Sequence, residues 1–387
     1  MQINKLYTKI GTETAFDILA KAEKLKSQGK DVINLGIGQP DFSSPVHVVE
    51  AAIKALKDGH HGYTPANGIL ELREAVAKNI YNFRSVNVNP DNILIMPGAK
   101  PIMYFAIIIF GEPGFEIMYP NPGFPIYESA INLTGAKPVP IELKEDNSFS
   151  FKAESVLEKI TAKTRLIILN SPANPTGGIT NANELDILVK GLEKFPNVTI
   201  LSDEIYSRII YDDIQFNSLL KYEQLRDRLI ILDGWSKTYA MTGWRLGWSL
   251  WPKKLIEIAT RLAINTYSCV NAPTQFAGIA ALNGPQDNFD FMLNEFNKRR
   301  NVIHEQLNSI NNFSCIKPKG AFYAFANIKK TGLTSNQVQD LILNEANVAT
   351  VAGTSFGELG EGFIRFSYAA SLDNINKAME RISTIFN

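Results

Sequence analysis

The stretch Leu166-Ile167-Ile168-Leu169-Asn170-Ser171-Pro172-Ala173-Asn174-Pro175-Thr176-Gly177-Gly178 decides how this chain is read. Four consecutive apolar residues leave no polar face, as in a strand covered on both sides. The Asn, Ser, Pro and Gly residues that follow end the strand and open a loop. The pattern recurs along the chain. Residues 93–96 run into Pro97-Gly98-Ala99-Lys100, 198–201 into Ser202-Asp203-Glu204-Ile205-Tyr206, and 229–232 into Asp233-Gly234-Trp235-Ser236-Lys237. A further apolar run, 115–118, leads to Tyr119-Pro120-Asn121-Pro122-Gly123-Phe124. Amphipathic helices separate these runs. Short apolar strands alternating with helices predict an α/β protein whose mostly parallel sheet is covered by helices.

Outside this core the pattern changes. Residues 12–28 read as an amphipathic helix, capped by Thr12 and ended by Gly29. A short strand at 31–35 follows, then a helix at 46–57. Beyond residue 285 a long charged helix (290–307) leads to alternating segments at 314–316, 322–326, 348–351 and 363–368. That reads as a smaller α+β domain. The expected division is a large domain over 46–284 and a small one built from 1–45 and 285–387.

Composition removes several functions. Lys plus Arg is 39 and Asp plus Glu is 39, so the formal charge is zero. Nucleic acid and anionic membrane surfaces are bound through concentrated positive charge, so neither is the expected partner. An apolar content of 45% with 20% charged residues describes a globular chain, not a disordered one. Two cysteines, Cys269 and Cys315, make neither a disulfide framework nor a cysteine-rich zinc site, and point to a reducing, cytoplasmic setting. Residues 1–7 lack the apolar core of a signal peptide, and the apolar run 102–110 is too short to span a bilayer. His47, His60, His61 and His304 lack helical zinc spacing, so no metal is expected.

In open α/β sheets ligands bind beyond the carboxyl ends of the strands. A parallel sheet therefore brings Lys100, Asn174, Asp203, Tyr206 and Lys237 to one crevice. The Gly98-Ala99-Lys100 turn precedes a helix, and free N–H groups at such a turn can hold an anion, although an ordinary strand-to-helix turn looks the same. Lys237 could be a nucleophile with a lowered pKa or a solvated surface lysine. Arg245 could clamp an anion or make a structural ion pair. Asp203, partly buried, needs a cationic or hydrogen-bonding partner: a pyridinium nitrogen, or an Arg or Lys. Together these groups meet the needs of pyridoxal 5′-phosphate, which requires an amine for its aldehyde, a carboxylate for its ring nitrogen and a cradle for its phosphate. Asn174 and Tyr206 can donate to its phenolic oxygen, and Phe124 can stack on its ring.

The sequence resembles the class I/II aminotransferases of the aspartate aminotransferase superfamily, pyridoxal-phosphate enzymes of fold type I. The likeness runs from Ile33-Asn34-Leu35-Gly36-Ile37-Gly38-Gln39-Pro40-Asp41-Phe42 to Phe363-Ile364-Arg365-Phe366-Ser367-Tyr368, and includes Ser236-Lys237 through Gly243-Trp244-Arg245-Leu246-Gly247. The resemblance implies that Lys237 is the lysine bonded to the cofactor, that Asp203 pairs with its ring nitrogen, and that Tyr206 and Asn174 reach its phenolic oxygen. It implies phosphate contacts from Gly98, Ala99, Lys100, Ser236 and Arg245, with Tyr63 reaching the phosphate of the neighbouring subunit in a homodimer with shared sites. Arg365 would hold the substrate α-carboxylate, with Gly38 closing over it. Substrates would be an L-amino acid and a 2-oxo acid.

Three positions depart from the family pattern. Gly234 stands where relatives often carry a hydroxyl, Ala99 lacks the hydroxyl common in the phosphate loop, and residues 265–271 contain no arginine for a dicarboxylate side chain. A β-eliminating lyase on the same scaffold is the nearest alternative; a regulatory protein of this fold is another. Gly353-Thr354-Ser355-Phe356-Gly357 matches a hydrolase nucleophile elbow, but no histidine lies beyond His304, so it reads as a small-domain loop near the substrate.

Overall fold

The computed structural model describes residue 2 and residues 5–387; residues 1, 3 and 4 of the opening stretch lie outside the described residues. In chain order the strands are β1 (Ile33–Asn34), β2 (Ile93–Met96), β3 (Glu116–Asn121), β4 (Lys137–Glu142), β5 (Thr164–Asn170), β6 (Thr199–Asp203) and β7 (Leu229–Gly234). They continue with β8 (Gly247–Leu250), β9 (Ser314–Cys315), β10 (Tyr323–Asn327), β11 (Val348–Ala349), β12 (Val351–Ala352) and β13 (Phe363–Ser367).

Seven strands form the central sheet in the order β2-β8-β7-β6-β5-β3-β4. Strands β7, β6, β5, β3 and β4 pair in parallel, and β8 runs antiparallel between β2 and β7. Every residue of β2, β6 and β7 is buried, as continuous apolar runs require when helices cover both faces. Two of the strands lie outside the apolar runs. Edge strand β4 carries Pro138 and Pro140, which lack ladder donors and are tolerated only at an edge. Strand β8 is four residues long and starts at Gly247, which pairs with both Met96 and Gly234. Being reversed, β8 begins at the end of the sheet where its neighbours finish. That brings Arg245, two residues earlier, to the crevice.

A second sheet, antiparallel, runs β12-β13-β10-β9, and β1 pairs in parallel with β11 through Ile33↔Val348 and Asn34↔Ala349. Arg381 Nη1, in the C-terminal helix Leu372–Phe386, donates to Asp31 O at 2.7 Å. On these links we propose the division into residues 46–284 and a unit formed by 1–45 with 285–387. Buried apolar residues run unbroken between the two sheets, from Leu94 and Ile168 to Phe322, Phe366 and Ile382.

The first long helix begins later than its sequence suggests. It spans Thr14–Ser27 with Glu13 at its N-cap and no side-chain cap bond; Thr12 is not the cap. The Glu13 carboxylate is engaged elsewhere, by Lys100. Gly29 follows the helix at φ 86°, a left-handed stop. The long charged helix extends over Asp287–Ser309. No described helix is long and apolar enough to cross a membrane.

Candidate active site

Beyond the carboxyl ends of β2, β5, β6 and β7 lies a cavity of about 460 Å³. Its lining brings together Gly38, Ala99, Lys100, Phe124, Asn174, Asp203, Tyr206, Ser236, Lys237, Arg245 and Arg365. Gly98 adjoins it. Tyr63 does not reach it; that side chain is 90% exposed on the surface of its own subunit.

Lys237 sits in the short helix Trp235–Thr238 directly after β7. Its Nζ donates to Gly38 O at 2.7 Å and lies 5.9 Å from the Tyr206 ring centroid and 5.8 Å from that of Phe322. Burial lowers the ammonium pKa from 10.5 to about 8, against the opposing pull of Glu13. The close approach of Gly38 depends on its missing side chain, since a Cβ there would stand 2.0 Å from Tyr323 Oη.

Asp203 ends β6 and is 3% exposed. Tyr127 Oη donates to its Oδ2 at 2.6 Å and Ile205 N to its Oδ1 at 3.2 Å. Burial raises its pKa to about 6, and both hydrogen bonds oppose that rise. Two more carboxylates lie close behind. Arg84 Nε donates to Glu204 at 2.8 Å and its Nη2 to Asp233 at 2.6 Å, within a buried network that Ser202, Ser207 and Ser218 complete. Arg84 thus pairs with the other two carboxylates, and Asp203 forms no ion pair among the described residues. A buried carboxylate facing a cavity without its own cation suits a cationic ligand atom.

Arg365, on β13, is 3% exposed. Its Nη1 donates to Asn174 Oδ1 at 2.9 Å, its Nη2 to Gly36 O, and its Nε is buried without an acceptor. The guanidinium carbon lies 4.5 Å from the Tyr323 ring centroid and 4.6 Å from that of Phe356. Tyr206 and Tyr323 share a hydrogen bond of 2.8 Å between their hydroxyls, so one line of contacts joins β6, β10 and β13.

At the opposite end Gly98 adopts φ 92°, and a Cβ there would lie 2.1 Å from Arg245 Nη2. Arg245 itself has φ 54°, is exposed, and donates from Nη1 to Thr242 O at 2.6 Å. Ser236 is buried beside Lys237. The helix Lys100–Phe110 starts here, so the turn presents a helix N-terminus together with a guanidinium. Lys100 forms an ion pair with Glu13, and its Nζ lies 5.7 Å from the Phe124 ring centroid.

Sequence reading missed Tyr127, Tyr323 and Glu13. Tyr127 lies three residues after Phe124 on a helix, and Tyr323 lies on an alternating small-sheet strand, so neither has a local mark of a site. Glu13 meets Lys100 across 87 positions of sequence. The Gly353–Phe356 turn does border the cavity, through Ser355 and Phe356. Cys315 is buried with its thiol pushed up to about 12, an inert packing residue.

Residues 30–382 match the family described as aminotransferase class I and II. Over 388 aligned residues the chain is 36% identical to an aspartate aminotransferase of Geobacillus stearothermophilus, covering 99% of this chain and 98% of that one. It is also 36% identical to aromatic-amino-acid aminotransferase 2 of Thermococcus litoralis, over 92% and 91% of the two chains. Among solved structures, the aspartate aminotransferase from Rhizobium meliloti superimposes with a TM-score of 0.94 at 34% identity, covering 99% of this chain and 98% of that one.

Proposed function

The chain belongs to the class I and II aminotransferases, enzymes that move an amino group between an amino acid and a 2-oxo acid, and from that premise we propose that its cofactor is pyridoxal 5′-phosphate, held in the 460 Å³ cavity. One observation carries the reading: Asp203, a buried carboxylate with no cation of its own, faces the same cavity as the amine of Lys237. The residues fit the group. Asp203 would take the ring nitrogen, Phe124 the ring face, Tyr206 and Asn174 the phenolic oxygen. Gly98, Ala99, Lys100, Ser236 and Arg245 would take the phosphate, joined by Tyr63 of a neighbouring subunit. When bound, this cofactor supplies the electron sink and carries the amino group between half-reactions.

The protein's own groups do the rest. Arg365 grips the substrate α-carboxylate; its buried Nε without an acceptor and its planar fork suit a bidentate partner. That grip fixes which bond at Cα stands ready to break. Lys237 Nζ then takes the Cα proton as general base and later returns it as general acid, and a pKa near 8 suits both tasks. Asp203, ionised, keeps a positive charge on the ring nitrogen, and Tyr127 holds the carboxylate in place. Tyr323 and Phe356 flank the guanidinium and keep water from it.

We assign a homodimer as the working state. The helix Val46–Lys57 buries Val48, Ala52 and Ala55 yet exposes Val46, Val49, Ile53 and Leu56. Such a two-sided apolar helix calls for a second covering surface, and exposed Tyr63 lies in the loop that follows it. The names of the relatives make L-aspartate and aromatic amino acids the first donors to test. The deciding experiment is a donor and acceptor screen that follows the cofactor's absorption change. Amino transfer needs two substrates and releases no ammonia; ammonia and a 2-oxo acid from one substrate would indicate a lyase instead.

A further inference from the structure

A second cavity, of about 300 Å³, opens elsewhere on the chain. Phe83, Phe216 and Phe289 line it, with Arg208 and Asp290. The Phe83 and Phe216 rings stack, 5.9 Å apart and 6° from parallel. The Arg208 guanidinium carbon lies 5.0 Å from the Phe83 centroid and 5.8 Å from that of Phe289. Its hydrogen bonds run from Nη1 alone, to Tyr239 Oη and Gln286 Oε1, each at 3.3 Å. Both acceptors are neutral. Gln286 is itself pinned, since its Nε2 donates to Ala281 O at 3.1 Å and Gly284 O at 2.8 Å.

Arg208 therefore differs from its neighbour Arg84, which spends its donors on two carboxylates. It forms no ion pair among the described residues, and its Nε and Nη2 make no hydrogen bond there, leaving a half-buried guanidinium beside the cavity with donors unspent. A planar guanidinium fork held between rings is suited to a carboxylate. Asp290, exposed in the first turn of helix Asp287–Ser309, brings one negative charge to the same cavity. A plain anion would meet repulsion from it, and a plain hydrocarbon would leave both charges unused. One ligand class answers all three features: a carboxylate for Arg208, an ammonium for Asp290, and a flat apolar body for the rings.

We propose that this cavity is a second binding site, distinct from the catalytic one, for a free α-amino acid with an aromatic side chain. Its volume stands at the small end of the roughly 300–1,000 Å³ typical of ligand pockets, in keeping with a ligand of that size. The segment from Asp203 to Arg208 links the two cavities. Asp203, Ile205 and Tyr206 line the first, and Ser207 and Arg208 the second. Ser207 Oγ also donates to Asp233 Oδ2 at 3.1 Å, tying the second cavity's floor to β7 and the Lys237 helix beyond it.

Equilibrium dialysis on protein loaded with pyridoxal phosphate and reduced with borohydride, so that no turnover occurs, tests this directly. The probes are L-phenylalanine and 3-phenylpropionate, which lacks the ammonium group. Saturable L-phenylalanine binding should weaken about 10-fold or more in Arg208→Gln, the loss of a charge-assisted bond, and persist in Arg365→Ala. Asp290→Asn should weaken L-phenylalanine and tighten 3-phenylpropionate. Retained circular dichroism and cofactor content show that each variant is folded. Absence of saturable binding overturns the site. So does binding that Arg365→Ala abolishes and Arg208→Gln spares, which would place the ligand in the catalytic cavity. An Asp290→Asn variant that shifts both probes alike would overturn the amino-acid class.

Discussion

Tyr127 Oη donates to Asp203 Oδ2 at 2.6 Å, the shorter of the two hydrogen bonds that the carboxylate receives. The bond holds down a pKa that burial has raised to about 6. Its removal in Tyr127→Phe should push that pKa further up. Asp203 must be ionised to pair with a cationic ring, so cofactor affinity is present above the carboxyl pKa and lost as pH falls through it. In apoprotein the affinity should drop near pH 6, and at a higher pH in Tyr127→Phe. A charge-assisted bond contributes about 1.5–3 kcal/mol, so affinity in the variant should fall about 10- to 150-fold below pH 6 and match the native protein at pH well above both carboxyl pKa values. Cofactor titrations across pH check this; an unmoved midpoint would refute the coupling.

Lys237→Ala should purify without the cofactor's visible absorption band and lose nearly all turnover. In the native protein, burial favours the neutral amine, so the rate of covalent cofactor capture should rise through about pH 8 rather than 10.5. Stopped-flow absorbance measures that rise. A covalent, borohydride-reducible adduct in Lys237→Ala would assign the amine to another residue.

Arg365→Ala should keep its cofactor and lose amino-acid use. Removing the charge-assisted bonds to the α-carboxylate should lower kcat/KM about 10- to 150-fold or more. Lysine should restore only part, because a point charge does not reproduce the planar fork. Asn174 also loses its 2.9 Å partner in the variant, so several donors should be compared. Unchanged kinetics would show that another group holds the carboxylate.

Ile53→Glu places a charge on the exposed apolar side of helix Val46–Lys57 and should yield a weakly active monomer by sedimentation. Mixing inactive Lys237→Ala subunits with impaired Tyr63→Phe subunits should give more activity than either alone, since the hybrid contains one site of native composition. A fully active Ile53→Glu monomer would remove Tyr63 from the site.

Arg84→Ala strips the partner from two buried carboxylates and should cost about 3–5 kcal/mol of stability, read from denaturant unfolding. An unchanged midpoint would refute a stabilising role for the Arg84 pairs with Glu204 and Asp233.

Sequence alone determined five strands of the central sheet and many of the residues that line the 460 Å³ cavity. Leu166–Leu169 and its companion runs are apolar, only about four residues long and closed by turn residues, as buried strands are, and a parallel sheet puts their carboxyl ends on one side. Asn174, Asp203, Tyr206 and Lys237 follow these runs by a few positions, so strand direction places them before any contact is known. Tertiary structure decided the rest. Strand β8 reads weakly because four residues starting at glycine carry little periodicity, yet its reversed direction is what brings Arg245 to Gly98. Glu13 meets Lys100, Tyr127 meets Asp203 and Tyr323 meets Tyr206 across 87, 76 and 117 positions of sequence. A single sequence records local periodicity and turn chemistry; which side chains complete one another's charges and hydrogen bonds is settled only when the two sheets close on a shared core.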